Sequence, residues 1–149
     1  MRTARECGVY AGEEVLLVAV ELSSTKWRLA MGARGRIRQV TLEPGAVGAF
    51  EEAISRGKAK LGVAGGAVVV SCYEAGRDGF WVHRWLALRG VRNVVVDSSS
   101  IELSRRARQA KTDRMDAERL LNLLQRWYGG EAGALRTVRV PSVEEEDAR

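Results

Sequence analysis

The first buried strand predicted for this chain consists of six consecutive apolar residues, Val15-Leu-Leu-Val-Ala-Val20. The run is short and rich in β-branched side chains, which favours a strand over a helix. Two further runs of the same kind follow, at residues 67–72 and 94–96. Strands that are apolar throughout are typical of parallel sheets, in which helices cover both faces. The three runs therefore predict the centre of an α/β sheet.

Two more strands are predicted between the first and second runs. Residues 27–31 alternate between large apolar and polar or small side chains, which predicts a half-exposed strand. Residues 37–42 continue in strand style after a turn at residues 32–35. Because these segments are closely spaced along the chain, we expect an antiparallel meander.

Helical spacing of apolar residues predicts three helices. They run from Pro44 to about Lys60, from 79 to 89, and from 115 to 128, where Gly129-Gly130 ends the last one. The order is then β-β-β-α-β-α-β-α, which is the order of the RNase H-like fold. We expect an α/β domain with a mixed, five-stranded sheet flanked by helices.

A further helix is predicted at the end of the chain. Residues 138–141 are extended in pattern, and Ser142-Val-Glu-Glu145 fits a capping box. Because the chain ends at Arg149, within the first turns of that helix, we expect the sequence to be a fragment of a longer protein. A frayed natural tail is the alternative.

The composition predicts a cytoplasmic protein with an anionic partner. Hydrophobic residues make up 46% of the chain, enough for one core, and the 24 Lys and Arg exceed the 19 Asp and Glu. A basic chain suggests nucleic acid as the partner. No apolar run approaches the ~18 residues of a membrane span. We therefore expect no membrane partner. The N-terminus lacks the apolar core of a secretion signal, which favours the cytoplasm.

Cysteine and histidine are too few for a zinc site, since the chain has only Cys7, Cys72 and His83. Cys72 falls within an apolar strand and is expected in the core. His83 is expected at the surface or at its boundary. Any metal ion bound here would need oxygen ligands.

Acidic residues follow the predicted buried strands. Glu21 comes directly after the first strand, and Glu74 comes two residues after the second. On a helical wheel of about 100° per residue, Asp113 and Asp116 extend the apolar stripe of the helix at 115–128. If the first and fourth strands are parallel neighbours, all four acids meet near the carboxyl ends of the strands.

Two interpretations of these acids remain open. In the first, Asp113 is the N-cap and the helix dipole favours both aspartates, which accounts for Asp113 and Asp116 but not for the two glutamates. In the second, the four acids bind metal ions. Four converging carboxylates need counter-charge, and Mg²⁺ prefers oxygen ligands. Two such ions about 4 Å apart support phosphoryl transfer. Asp78 and Asp97 are expected to form turns or caps.

A basic segment lies directly before the aspartates. It suits a nucleic-acid backbone, although a solvated charged loop is an equal alternative. Its members are Arg105, Arg106, Arg108, Lys111 and Arg114. Cations on the early strands extend this path, namely Lys26, Arg28, Arg34, Arg36 and Arg38. Trp81 and Trp85 are expected in the core rather than as a base-stacking platform, and residues 98–100 are expected to form a turn.

Three stretches of the chain, in this order, resemble the N-terminal domain of the DEDD transposases encoded by bacterial insertion sequences of family 110. They are Val18-Ala-Val-Glu-Leu-Ser-Ser-Thr-Lys-Trp27, Ser71-Cys-Tyr-Glu-Ala-Gly-Arg-Asp-Gly79 and Lys111-Thr-Asp-Arg-Met-Asp-Ala117. The resemblance extends over nearly the whole chain, to residues 140–147.

The resemblance implies an RNase H-like domain similar to the RuvC Holliday-junction resolvases, with a catalytic, metal-binding tetrad. Its members would be Glu21, Glu74, Asp113 and Asp116, holding Mg²⁺ (or Mn²⁺ as substitute), with two ions expected. Glu21 departs from the family pattern, which usually has Asp there. The family also implies a C-terminal domain with a nucleophilic serine, a DNA substrate and a structured guide RNA. Residues 1–137 would then be the RNase H-like catalytic domain, and residues 138–149 would be the start of a helical linker to the absent C-terminal domain. Symmetric recombination further suggests a homo-oligomer.

The leading hypothesis is the metal-binding half of a transposase that cleaves or transfers DNA strands and is not active alone. A stand-alone, junction-resolving nuclease would use the same four acids. A nucleotide-binding domain of the actin and sugar-kinase type would hold phosphate at Ser23-Ser24-Thr25, although that turn lacks a glycine. A non-enzymatic nucleic-acid-binding or dimerisation module would use the acids only as caps.

Overall fold

The computed structural model describes residue 3 and residues 14–76, 79–101 and 116–148. Within these residues the chain forms six strands, four α-helices and two short 3₁₀ helices. The strands are β1 (Val15–Leu22), β2 (Trp27–Ala33), β3 (Arg36–Leu42), β4 (Val68–Glu74), β5 (Arg92–Val96) and β6 (Thr137–Val138). The α-helices are α1 (Val47–Lys60), α2 (Trp81–Leu88), α3 (Ala117–Tyr128) and α4 (Val143–Asp147).

The strands form one mixed sheet in the order β3-β2-β1-β4-β5-β6. β1, β4 and β5 are parallel, and β2 and β3 complete the predicted antiparallel meander. β6 pairs antiparallel with Val95 and Val96. The strand count of five was therefore wrong by this two-residue strand, which is too short to show a period of its own. The arrangement is RNase H-like, as predicted.

Helices cover both faces of the sheet, which explains why its central strands are apolar throughout. On one face α1 and α2 pack against Leu16, Val18 and Val20 of β1. On the other face α3 packs against Leu17 and Ala19. Burial of this apolar surface, at roughly 25 cal/mol per Å², is the main force that holds the helices on the sheet.

The expectation that the second strand is half-exposed was wrong. In β2 only Arg28 is exposed. Gly32 lies under α3, where an added Cβ would come within 2.6 Å of the Gln125 amide. Gly57 of α1 approaches the opposite face, where an added Cβ would lie 2.6 Å from Met31 Sδ. Small residues at these two contacts let both helices pack closely enough to bury β2.

The amphipathic helix predicted before Gly129 is α3, and its buried side chains lie on one stripe. They are Ala117, Leu120, Leu121, Leu124 and Trp127. The helix begins later than expected, and Asp116 rather than Asp113 is its N-cap. The helical wheel could not show which of the two is the cap, because both residues are aspartates and aspartate caps a helix well.

The two tryptophans of α2 differ in burial. Trp85 is half-buried and lies edge-on to Phe50, with ring centroids 5.1 Å apart. Trp81 is 46% exposed, and its ring centroid lies 5.9 Å from that of the buried Trp27. The expectation of a core position thus fails for Trp81, the first residue of the helix, which lies beyond the edge of the core.

The predicted capping box is present at α4. The Ser142 hydroxyl accepts from the Glu145 N–H at 3.1 Å, and Glu145 Oε1 accepts from the Ser142 N–H at 3.0 Å. Arg84 on α2 holds this end of the chain through Glu146 at 2.8 Å and the Pro141 carbonyl at 3.1 Å. That residues 138–149 begin a linker stays a prediction. Among the described residues, no helix is long and apolar enough to cross a membrane.

Candidate metal centre

Glu21 and Glu74 lie at the carboxyl ends of neighbouring parallel strands, at the same edge of the sheet. In the β1–β4 ladder Val20 is opposite Tyr73, and each glutamate is the next residue of its strand. Because side chains alternate between the faces of a strand, both glutamates point to the face that α3 covers. The condition set by the sequence, that the first and fourth strands are parallel neighbours, is confirmed.

The N-terminus of α3 reaches the same edge. The Ala117 N–H donates to Glu21 Oε1 at 3.1 Å, and the Arg119 N–H donates to Asp116 Oδ1 at 2.9 Å. The first N–H groups of a helix have no partner within it and carry partial positive charge. Two carboxylates, one from the sheet and one from the helix, satisfy two of these groups and are thereby held at one helix terminus.

The three acids differ in exposure. Glu74 is only 5% exposed, Glu21 is half-buried, and the Asp116 side chain is 55% exposed. A carboxylate as buried as Glu74 requires polar or cationic compensation. The three acids therefore extend from the buried Glu74 to the exposed Asp116.

The donor chemistry of these acids fits a hard cation, because Mg²⁺ takes carboxylate oxygens. The set is incomplete, however. Nowhere in the described part of the chain do three His, Cys, Asp or Glu side chains come together as a group that could hold a metal ion. Asp113, the fourth predicted ligand, lies outside the described residues. So do the five cations of the basic segment, Arg105, Arg106, Arg108, Lys111 and Arg114.

A second predicted feature, the cationic first hairpin, adjoins Glu21. Arg28 of β2 is the register partner of Glu21 across the antiparallel ladder. An open pocket of about 230 Å³ lies at this point. Its lining consists of Glu21, Ser23, Thr25, Lys26 and Arg28. Acidic and basic side chains therefore share one surface at the carboxyl edge of the sheet.

Asp97 behaves as the turn residue that was predicted. Its Oδ1 accepts from the Ser99 N–H at 2.9 Å, and this opens the 3₁₀ helix Ser98–Ile101. Asp78, the other acid assigned to a turn, lies outside the described residues. Cys72 is buried as predicted, and burial raises the pKa of its thiol to about 12.

Sequence reasoning missed a polar chain beneath α2. Ser71 Oγ donates to Asn93 Oδ1 at 2.7 Å, and the Asn93 amide donates to His83 Nδ1 at 2.9 Å. Burial, and then the charge of Arg84, lower the pKa of His83. The sequence signal was Ser71 within the apolar run 67–72 and Asn93 directly before the apolar run 94–96. Because these three hydrogen-bonded residues lie on the face opposite α3, they are separate from the acidic residues.

No family model matches the chain. Among solved structures, RuvC of T. thermophilus in complex with Holliday junction substrate is similar at 9% identity, with a TM-score of 0.43. The match covers 83% of this chain and 99% of that one.

Among curated proteins, the chain is similar to a protein of Sinorhizobium fredii (strain NBRC 101917 / NGR234) named "Putative transposase y4rJ". The two are 36% identical over 141 residues, which cover 90% of this chain. The resemblance to a transposase domain that the motifs indicate is thereby confirmed. The chain spans 35% of the length of this relative.

Proposed function

We propose that this chain is the metal-binding part of a DNA transposase and acts in the cleavage or transfer of DNA strands. One observation carries the proposal: Glu21 and Glu74 lie at the carboxyl ends of adjacent parallel strands, on the same face as the N-terminus of α3. Asp116 caps that helix, and Glu21 accepts from its Ala117 N–H. The name of the curated relative supports the same function.

Glu21, Glu74, Asp113 and Asp116 would hold Mg²⁺ in this function. When bound, the metal would polarise a phosphodiester and stabilise the leaving oxygen, with two ions expected. The α3 N-terminus orients Glu21 and Asp116, and the sheet fixes Glu74. The basic segment 105–114 would bind the DNA backbone next to these acids.

Further parts of the proposal rest on the resemblance to the family. A structured guide RNA and other copies of this chain are proposed as partners, and the cytoplasm is proposed as the location. In the whole transposase a C-terminal domain would follow residues 138–149. The chain alone is then expected to bind metal and DNA without completing recombination.

The decisive experiment measures Mn²⁺ binding by electron paramagnetic resonance, with and without branched DNA. Glu74→Gln removes a proposed ligand charge at nearly constant volume and should weaken Mn²⁺ binding at least about tenfold, the loss of one charged contact. Glu52→Gln is the matched control, since Glu52 lies on α1, paired only with Arg56 among the described residues. Thermal unfolding of both variants checks that Glu74→Gln still folds.

Each result separates the candidate functions. Wild-type affinity in a folded Glu74→Gln variant, or no Mn²⁺ binding by wild type with DNA present, would overturn the metal-dependent function. In that case the non-enzymatic module is favoured, because the cap hydrogen bond of Asp116 needs no metal. Metal-dependent cleavage of a four-way junction by this chain alone would instead favour a stand-alone nuclease.

A further inference from the structure

The turn between β1 and β2 is held in shape by one hydroxyl. Ser23 Oγ donates to the Lys26 carbonyl at 2.7 Å and accepts from the Lys26 N–H at 3.1 Å. The turn is exposed, yet both polar groups of the Lys26 backbone are satisfied within it. Its side chains are therefore presented from a defined backbone rather than from a loosely held loop.

Two cations, one at the end of this turn and one in β2, lie on the side of the acids. Lys26 and Arg28 are exposed, and no hydrogen bond or ion pair engages either charged group among the residues the structure describes. The cations at the other end of the same hairpin differ. Arg34 pairs with Glu14 at 3.7 Å, and Arg36 donates to the Lys60 carbonyl at 2.9 Å. Of these four cations, the two that are not engaged lie next to Glu21.

The position of Arg28 makes this arrangement specific. It is the register partner of Glu21, but no ion pair joins the two side chains in the described part of the structure. An arginine beside a carboxylate that it does not neutralise is available for another anion. Thr25 adds a hydroxyl to the same pocket of about 230 Å³, and hydroxyl and guanidinium donors together suit phosphate oxygens.

We propose that Thr25, Lys26 and Arg28 form a subsite for a backbone phosphate of nucleic acid, next to the carboxylates. This inference rests on the proposed function, because it places a phosphate of the same DNA strand beside the proposed metal ligands. The subsite positions the strand: Arg28 takes two phosphate oxygens with its planar fork, Lys26 adds charge, and Thr25 donates one hydrogen bond. Its cations also offset the repulsion between DNA phosphates and Glu21.

The test uses the whole 149-residue chain and a fluorescent branched DNA, with affinity measured by fluorescence anisotropy over a range of salt concentrations. Arg28→Ala should weaken binding on the order of tenfold, the effect of losing a hydrogen bond to a charged group. The slope of log K against log salt should become shallower by about 0.7 to 0.9 for the lost phosphate contact. Arg28→Lys should recover part of the affinity and the full slope.

Arg56→Ala is the matched control, because it removes one positive charge from an exposed residue of α1 on the other face of the sheet. It should leave the salt slope unchanged. A folded Arg28→Ala variant that binds DNA with wild-type affinity and slope overturns the subsite and leaves the proposed function standing. Absence of DNA binding by the wild-type chain overturns both the subsite and the proposed function. ATP binding that is lost in Arg28→Ala, while DNA affinity and salt slope stay at wild-type values, would assign the pocket to a free nucleotide and overturn the nucleic-acid subsite.

Discussion

Asp116 has two candidate roles, helix cap and metal ligand, and a pair of substitutions separates them. Its Oδ1 accepts from the Arg119 N–H at 2.9 Å, and asparagine makes this bond as well as aspartate does. Asp116→Asn therefore keeps the cap and removes the charge, whereas Asp116→Ala removes both. A ligand role depends on the charge, and a cap role depends on the hydrogen bond.

The free energies of unfolding follow from these contacts. Loss of the cap costs about 1 kcal/mol. Loss of the charge near the helix N-terminus costs roughly 0.5 kcal/mol. The ion pair with Arg119, at 3.9 Å between half-exposed side chains, adds little. We expect a loss of about 0.5 kcal/mol for Asp116→Asn and about 1.5 kcal/mol for Asp116→Ala, the difference being worth about 3 °C in Tm.

The assay combines urea unfolding, followed by far-UV circular dichroism, with Mn²⁺ titration of the same samples. Both variants should lose Mn²⁺ affinity. The free energy of unfolding should fall by about 1 kcal/mol more in Asp116→Ala than in Asp116→Asn, because only the alanine variant loses the cap hydrogen bond. Equal destabilisation by the two substitutions would refute the cap reasoning. Wild-type Mn²⁺ affinity in Asp116→Asn would refute the ligand role and leave Asp116 as a cap alone.

Three further predictions concern the fold. Gly57→Ala should lower the free energy of unfolding by about 1–3 kcal/mol through overpacking against Met31, although alanine favours a helix. Urea unfolding measures this change, and an unchanged urea midpoint would contradict the close contact between Gly57 and Met31. The hydrogen bond from Arg139 lowers the pKa of Glu145 from 4.5 to about 2. The Glu145 carboxylate therefore stabilises α4 fully above pH 4.5, and this stabilisation is lost as the pH falls towards 2. A titration midpoint of the Glu145 carboxyl near 4.5, measured by NMR, would contradict this. Because burial raises the pKa of Cys72 to about 12, its thiol should resist alkylation until the protein unfolds; rapid labelling of the native peptide by mass spectrometry would show that this thiol is accessible.

The sheet was largely predictable, because its signals are local. The run at 15–20 predicts a strand covered on both faces, and β1 is buried on both faces. The capping box at Ser142 is equally local and is present. β6 was missed because its two residues carry no period, and its pairing with β5 depends on where the chain returns after α3.

The acids were predictable only in part. Their positions at strand ends predict that Glu21 and Glu74 are neighbours, given a parallel β1–β4 pair. The start of α3 was misplaced, because a helical wheel orders side chains around an axis but does not locate the first turn. In the structure the Glu21 carboxylate accepts from the Ala117 N–H, a contact between residues far apart in sequence.

Local patterning was therefore sufficient for β1 to β5 and for the α-helices, apart from the start of α3, since burial on one or both faces imposes periods of two or 3.6 residues on the sequence. Tertiary packing alone decided which acids share an edge of the sheet. It also left Arg28 beside Glu21 without an ion pair between the two side chains in the described part of the structure. It left Trp81 half-exposed against Trp27, whereas Trp85 packs on the core. These outcomes depend on strand order, register and the angle of each helix on the sheet, which arise only when separate segments of the chain bury a common surface.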